Sequence, residues 1–197
     1  MLKKESLDAL AAEVSICRKC ELWKTRRNAV PGEGSSESRI MFIGEAPGYW
    51  EDAEGKPFVG AAGKLFDTLL IEVGLSRKKV FIGNILKCRP PKNRKPLLNE
   101  IETCTPYLDR QIRLVKPKFI IALGNSSTAY MFSKAKLPFN GITRAHGKFF
   151  QTSILGLQVT VFPTFHPAAA IYRSKYKGLS QQDFQTLKNR LTYQKLL

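Results

Sequence analysis

The chain has 197 residues and a net charge of +16, from 32 lysines and arginines against 16 aspartates and glutamates, with a pI near 9.9. At about 150 residues per domain, this predicts one compact domain over residues 1–197, large enough to bury roughly 70% of its unfolded surface without a staple. No stretch approaches the ~20 apolar residues of a membrane span and MLKKESLDAL lacks the apolar core of a secretion signal, so an intracellular, cytoplasmic protein with no membrane partner is expected. The basic balance favours a polyanion, nucleic acid first, over the alternative that the charge merely maintains solubility.

In chain order, Ser6–Ile16 reads as a helix, and Arg39–Gly44 (RIMFIG) as the first of four short apolar runs. The others are Val80–Asn84 (VFIGN), Phe119–Gly124 (FIIALG) and Val159–Thr164 (VTVFPT). None alternates, which is the pattern of parallel strands covered on both faces. Leu65–Val73 and Leu98–Val115 carry apolar residues at helical spacing; Ser126–Phe132 predicts a short helix after GNS, and Gln181–Leu196 a last one. The alternation predicts an α/β sandwich with right-handed crossovers, in which ligands bind beyond the carboxyl ends of the strands. The segments to question are therefore GEAPG, NILKC, GNSST and FHPAAA.

Four cysteines form a C-x2-C pair, Cys17 and Cys20, and a distant C-x15-C pair, Cys88 and Cys104. In a reducing compartment they are better metal ligands than disulfide partners, and one four-thiolate site uses them all. Zinc and a [4Fe-4S] cluster both accept four thiolates, and the spacing decides between neither. The stretch between the second pair begins RPPKNRKP; its Arg89, Lys92, Arg94 and Lys95 form either a phosphate-contacting patch or a solvated loop.

GEAPG lacks the G-K-[ST] ending of a phosphate loop. Together with GKPFVGAAG, NILKCRPP, FHPAAA and the cysteine spacing, from about Cys17 to Arg173, it resembles the family 4 uracil-DNA glycosylases, the iron-sulfur members of their superfamily. That resemblance implies a three-layer α/β/α sandwich around a four-stranded parallel sheet. The implied activity is monofunctional hydrolysis of the N-glycosidic bond of uracil in DNA, without strand cleavage, which starts base excision repair. It also implies a structural [4Fe-4S] cluster on Cys17, Cys20, Cys88 and Cys104 rather than zinc. The partner would be uracil-containing DNA, met by a nucleoid-associated monomer; no signature of a sliding-clamp contact is legible.

The same resemblance assigns roles. A base inside a duplex must be extruded into a pocket before its sugar bond can be attacked. Phe58 would stack on the uracil, Asn84 read its Watson-Crick edge, and His166 donate to O2 and stabilise the departing base. The backbone of Glu45, Ala46 and Pro47 would line the pocket. PAAAIYR would be a loop entering the minor groove, with Arg173 at a phosphate. Ala46 stands where relatives elsewhere in the superfamily carry a catalytic aspartate, which leaves Glu45, with Glu51 and Asp52 behind it, as the carboxylate near the water; Glu45 could instead exclude the thymine methyl. Each residue also has a plain reading: Phe58 in the core, Asn84 in a turn, His166 capping a strand. His146 matches no motif and reads as a surface-loop residue. The competing class is a basic nucleic-acid-binding module with a purely structural cysteine site.

Overall fold

The structure, a computed structural model, describes residues 5–197; the first four residues of the stretch read for a signal lie outside it. The four expected strands are present as β1 (Ile40–Gly44), β2 (Phe81–Asn84), β3 (Phe119–Leu123) and β5 (Leu157–Thr164). They pair in parallel as β2-β1-β3-β5. The expectation of a four-stranded sheet is corrected by β4 (Phe150–Ile154), a fifth strand that pairs antiparallel with β5 at the sheet edge. Its residues alternate in exposure rather than forming a buried run. The two-residue turn that joins it to β5, Leu155-Gly156, has both residues at positive φ (54° and 82°), the backbone of a primed hairpin turn without the usual Asn-Gly signature.

Along the central strands successive side chains enter different cores. Met41 and Ile43 of β1 pack with α1 (Leu7–Ile16) and α4 (Leu98–Val115), through Leu10, Val14, Leu108 and Ile112. Ile40 and Phe42 face the other way, onto Phe66, Leu69 and Leu70 of α3 (Ala61–Glu72) and onto Phe184 and Leu187 of α8 (Ser174–Tyr193). That division makes three layers and explains why the strands read as unbroken apolar runs. Shorter helices complete the chain: α2 (Tyr49–Glu54), α5 (Asn125–Lys134), α6 (Ile142–Ala145) and α7 (Pro167–Tyr172). α7 corrects the reading of PAAAIYR as a loop: Pro167 supplies the preset φ of a first helical residue, and three alanines follow it.

β1 is followed by β2 on one side and flanked by β3 on the other, so the order in which strands are added reverses between β1 and β3. Such a switch leaves a crevice beyond the strand ends. One wall of that crevice is the loop before α3, where Phe58 sits at φ 54°, a left-handed conformation unfavourable for an aromatic residue. Arg77 holds it there: its guanidinium donates to the Phe58 carbonyl, to the Pro57 carbonyl at 2.9 Å, to Asp67 at 2.7 Å and to Glu33 at 2.8 Å. A lysine cannot serve four acceptors in that fork. Arg77→Lys is therefore expected to lower stability by about 1–3 kcal/mol, read as a lower urea midpoint; an unchanged midpoint would remove Arg77 from this role.

Candidate active site

The crevice holds a cavity of about 310 Å³ lined by Glu45, Ala46, Pro47, Glu51, Phe58, Asn84, Arg94 and His166, all named by the sequence, and also by Gly124 and Asn125. Each comes from a segment beyond a strand end or from the loop before α3. Asn84 ends β2 beside Gly44, with its backbone carbonyl accepting from Lys87 Nζ at 2.8 Å. Its side chain is buried, and its Oδ1 has no hydrogen-bond partner. A buried amide oxygen left unpaired costs free energy, so it is a position where a ligand donor would be favoured.

Two strand-end glycines make the approach possible. A Cβ on Gly44 would lie 2.3 Å from Asn84 Oδ1 and 2.9 Å from Phe58 Cζ; one on Gly124 would lie 3.1 Å from His166 Cβ. Phe58 is buried, with its ring 4.9 Å from that of Phe66 and 5.6 Å from the His166 imidazole, nearly parallel to the latter. Phe58 therefore belongs to the core, as its plain reading has it, and also forms a wall of the cavity.

His166 caps α7 with its own side chain: Nδ1 accepts from the Ala168 backbone N–H at 3.2 Å. An accepting Nδ1 places the proton of the neutral ring on Nε2, which is left to donate. Burial pushes the His166 pKa down to about 4, partly opposed by Glu51, so the ring is neutral at pH 7.

The carboxylates divide by their partners. Glu51 accepts backbone N–H bonds from Gly48 (3.1 Å), Val59 (2.9 Å) and Gly60 (3.0 Å), tying the GEAPG segment to the Phe58 loop. Asp52 is buried and accepts from the Arg27 N–H. Glu45 keeps its carboxylate at the cavity, with Oε2 accepting from Ser126 of α5. The clamp formed by Glu51 was not legible, because its partners are backbone N–H donors, two of them brought near only by folding.

The expected basic residues are dispersed. Lys92 and Lys95 are exposed, Arg89 donates to Asn93 at 2.7 Å, and Arg173 is exposed at the end of α7. Arg94 reaches the cavity wall but is engaged by the buried Glu100 through contacts of 2.6 and 2.9 Å, which hold the Glu100 carboxyl below its usual range. His146, read as a loop residue, instead pairs with the buried Asp183 at 2.9 Å. Its ring also lies 4.5 Å from Phe165, the neighbour of His166. Asp183 accepts a further bond from Thr164 at 2.7 Å.

All four cysteines are free and line one small cavity with Val14, Trp23 and Tyr107. Among the described residues, no group of three or more His, Cys, Asp or Glu side chains is arranged to hold a metal ion. The donor chemistry nonetheless suits a thiolate centre. Arg26 Nη1 donates to Cys88 Sγ at 3.0 Å and the Lys87 backbone N–H to Cys104 Sγ at 3.2 Å, while burial pushes the Cys104 thiol up to about 12. Such a thiol releases its proton readily only when a cation takes its place on the sulfur.

The cavity depends on Gly44, so Gly44→Ala is expected to displace Asn84 and Phe58 with a stability loss of about 1–3 kcal/mol, measured by thermal melting.

A profile of the uracil DNA glycosylase superfamily matches residues 31–192. The chain is 52% identical over 189 residues to the type-4 uracil-DNA glycosylase of Saccharolobus solfataricus, an alignment covering 95% of this chain and 88% of that protein. It is 50% identical over 185 residues to that of Sulfurisphaera tokodaii, covering 93% and 84%. With that of Archaeoglobus fulgidus it shares 44% over 183 residues, covering 93% and 92%. With such coverage and the strand-end cavity above, the chain belongs to the uracil DNA glycosylase superfamily, among the type-4 enzymes.

Proposed function

We propose that this protein is a monofunctional uracil-DNA glycosylase that flips uracil out of DNA and hydrolyses its N-glycosidic bond, initiating base excision repair as a single domain inside the cell. The observation that carries the reading is the unpaired, buried Asn84 Oδ1 at a cavity that also presents Phe58 and His166. A binding module has no need of such a set. Asn84 Oδ1 accepts the uracil N3–H while Nδ2 donates to O4, which relieves the unpaired oxygen. Phe58 stacks against the base. His166 donates from Nε2 to O2 and stabilises charge that develops there as the bond to the sugar breaks. The electron pair of that bond leaves with the base, and the sugar becomes oxocarbenium-like. Glu45, oriented by Ser126, stabilises the cationic sugar and holds the attacking water, so no strong base is required.

Around the cavity, Lys92, Lys95 and Arg173 supply phosphate contacts, and Arg94 acts by fixing the loop through Glu100. Cys17, Cys20, Cys88 and Cys104 fit a [4Fe-4S] cluster in donor set and in the N–H groups already directed at two sulfurs. When bound, the group supplies covalent ties among three chain segments and takes no part in the hydrolysis.

The decisive assay is uracil release from a labelled oligonucleotide followed by alkali. Strand breaks only after alkali are expected; their absence where DNA binds would eliminate the enzyme reading. His166→Ala is expected to lower the single-turnover rate by about 100- to 1000-fold and to weaken DNA binding far less.

The pH dependence follows from the lowered His166 pKa. The unfolded chain takes up this proton near pH 6.5, whereas the folded one does so only near 4. Stability is thus full above about 6.5 and falls as pH drops toward 4, and the rate is expected to have no His166 limb near 6.5. An acid limb there that vanishes in His166→Gln would overturn the neutral-donor assignment.

Protein purified without oxygen is expected to be brown and to contain about four irons per chain, with colour lost in Cys88→Ala. A colourless, zinc-loaded and fully active preparation would overturn the cluster.

A further inference from the structure

Tyr49 and Trp50 open α2 and lie in the chain between Gly48 and Glu51, which line the cavity. Neither has been absorbed by the roles above. They are 43% and 57% exposed, and their rings meet edge to face with centroids 5.2 Å apart. A side chain on Gly60 would meet Trp50 Cδ1 at 3.2 Å, so the indole is seated on the start of α3 while most of it faces water. Tyr49 gathers two cations: the guanidinium carbons of Arg27 and Arg89 each lie 5.2 Å from its ring centroid.

The two arginines arrive from distant segments, one beyond Cys20 and the other directly after Cys88, and neither forms an ion pair among the described residues. Each is fixed locally, Arg27 by its backbone N–H on Asp52 at 3.0 Å and Arg89 by Nε on Asn93 at 2.7 Å. Their remaining N–H groups are available to an anion. Two exposed aromatic rings beside two such guanidiniums match an unpaired strand, which offers bare base faces and a phosphate at every step. A duplex hides its base faces in the stack.

We propose that Arg27, Tyr49, Trp50 and Arg89 form a binding site for single-stranded DNA flanking the uracil. Trp50 stacks an unpaired base, and the Tyr49 ring holds Arg27 and Arg89 in place for neighbouring phosphates. The site rests on the reading of the cavity as a uracil pocket and extends it to the strand beside the extruded base.

The test measures binding by fluorescence anisotropy to a labelled single-stranded oligothymidine without uracil, and to the same strand in a duplex. Trp50→Ala is expected to weaken single-strand binding about tenfold or more and duplex binding less than about threefold. Trp50→Phe should keep most of the affinity, and Tyr193→Ala, at an exposed aromatic on α8, should change neither. Arg27→Gln and Arg89→Gln should each reduce the single-strand salt slope by about 0.7. Wild-type affinity in Trp50→Ala, or equal loss on single strand and duplex, would overturn the site; so would a Trp50→Phe as weak as Trp50→Ala, which would mark Trp50 as packing only. Uracil release by the wild type, run in parallel, separates the two readings: no release overturns the glycosylase, whereas release with no Trp50 effect overturns only this site.

Discussion

The absence of a side chain at Gly44 is the constraint on which the cavity depends. β1 must end without a Cβ because the Asn84 amide and the Phe58 ring occupy the space that one would take. The β1–β2 register sets Gly44 against Asn84, so the same ladder that builds the sheet delivers the amide to that gap. Gly124 repeats the device at the end of β3, where it admits His166. The cavity is therefore a consequence of how two adjacent parallel strands end, at the point where the sheet order reverses.

Lys87 connects that cavity to the cysteines. It is fully buried, its Nζ donating to the Asn84 carbonyl at 2.8 Å and to Gln111 at 2.7 Å, and its backbone N–H donating to Cys104 Sγ. Burial lowers its pKa to about 8, and it survives there because each bond compensates for lost water. Anything that fixes Cys88 and Cys104 thereby fixes the end of β2 and, with it, the Asn84 amide at the cavity.

Legibility in the sequence followed the physics of each feature. β1, β2, β3 and β5 were readable because burial on both faces leaves unbroken apolar runs, whereas β4 alternates and turns on Leu155-Gly156. The residues lining the cavity were reachable because each follows a strand or belongs to a quoted motif. The roles of Arg77, of Glu51 as a clamp on the Phe58 loop and of the His146–Asp183 pair were not, since their partners are backbone groups or side chains brought near only by folding. α7 was missed because a six-residue helix of small residues carries almost no periodic signal.

Three locally unfavourable features converge on the cavity: an unpaired amide oxygen at Asn84, a left-handed backbone at Phe58, and a histidine kept neutral by its surroundings. Each is over-determined from outside. Lys87 and the β-ladder fix Asn84, Arg77 fixes the Phe58 turn, and the Ala168 N–H fixes the tautomer of His166. Behind His166, Phe165 lies between the His146 and Tyr176 rings, with centroids at 4.5 and 4.7 Å, so the loop cannot easily withdraw. Local choices that conflict with propensity persist only where the surrounding fold compensates for them, and such places concentrate at functional sites. The rigidity of this frame means that a ligand entering the cavity would meet donors and acceptors already in position, so little of the binding energy would be consumed in ordering them.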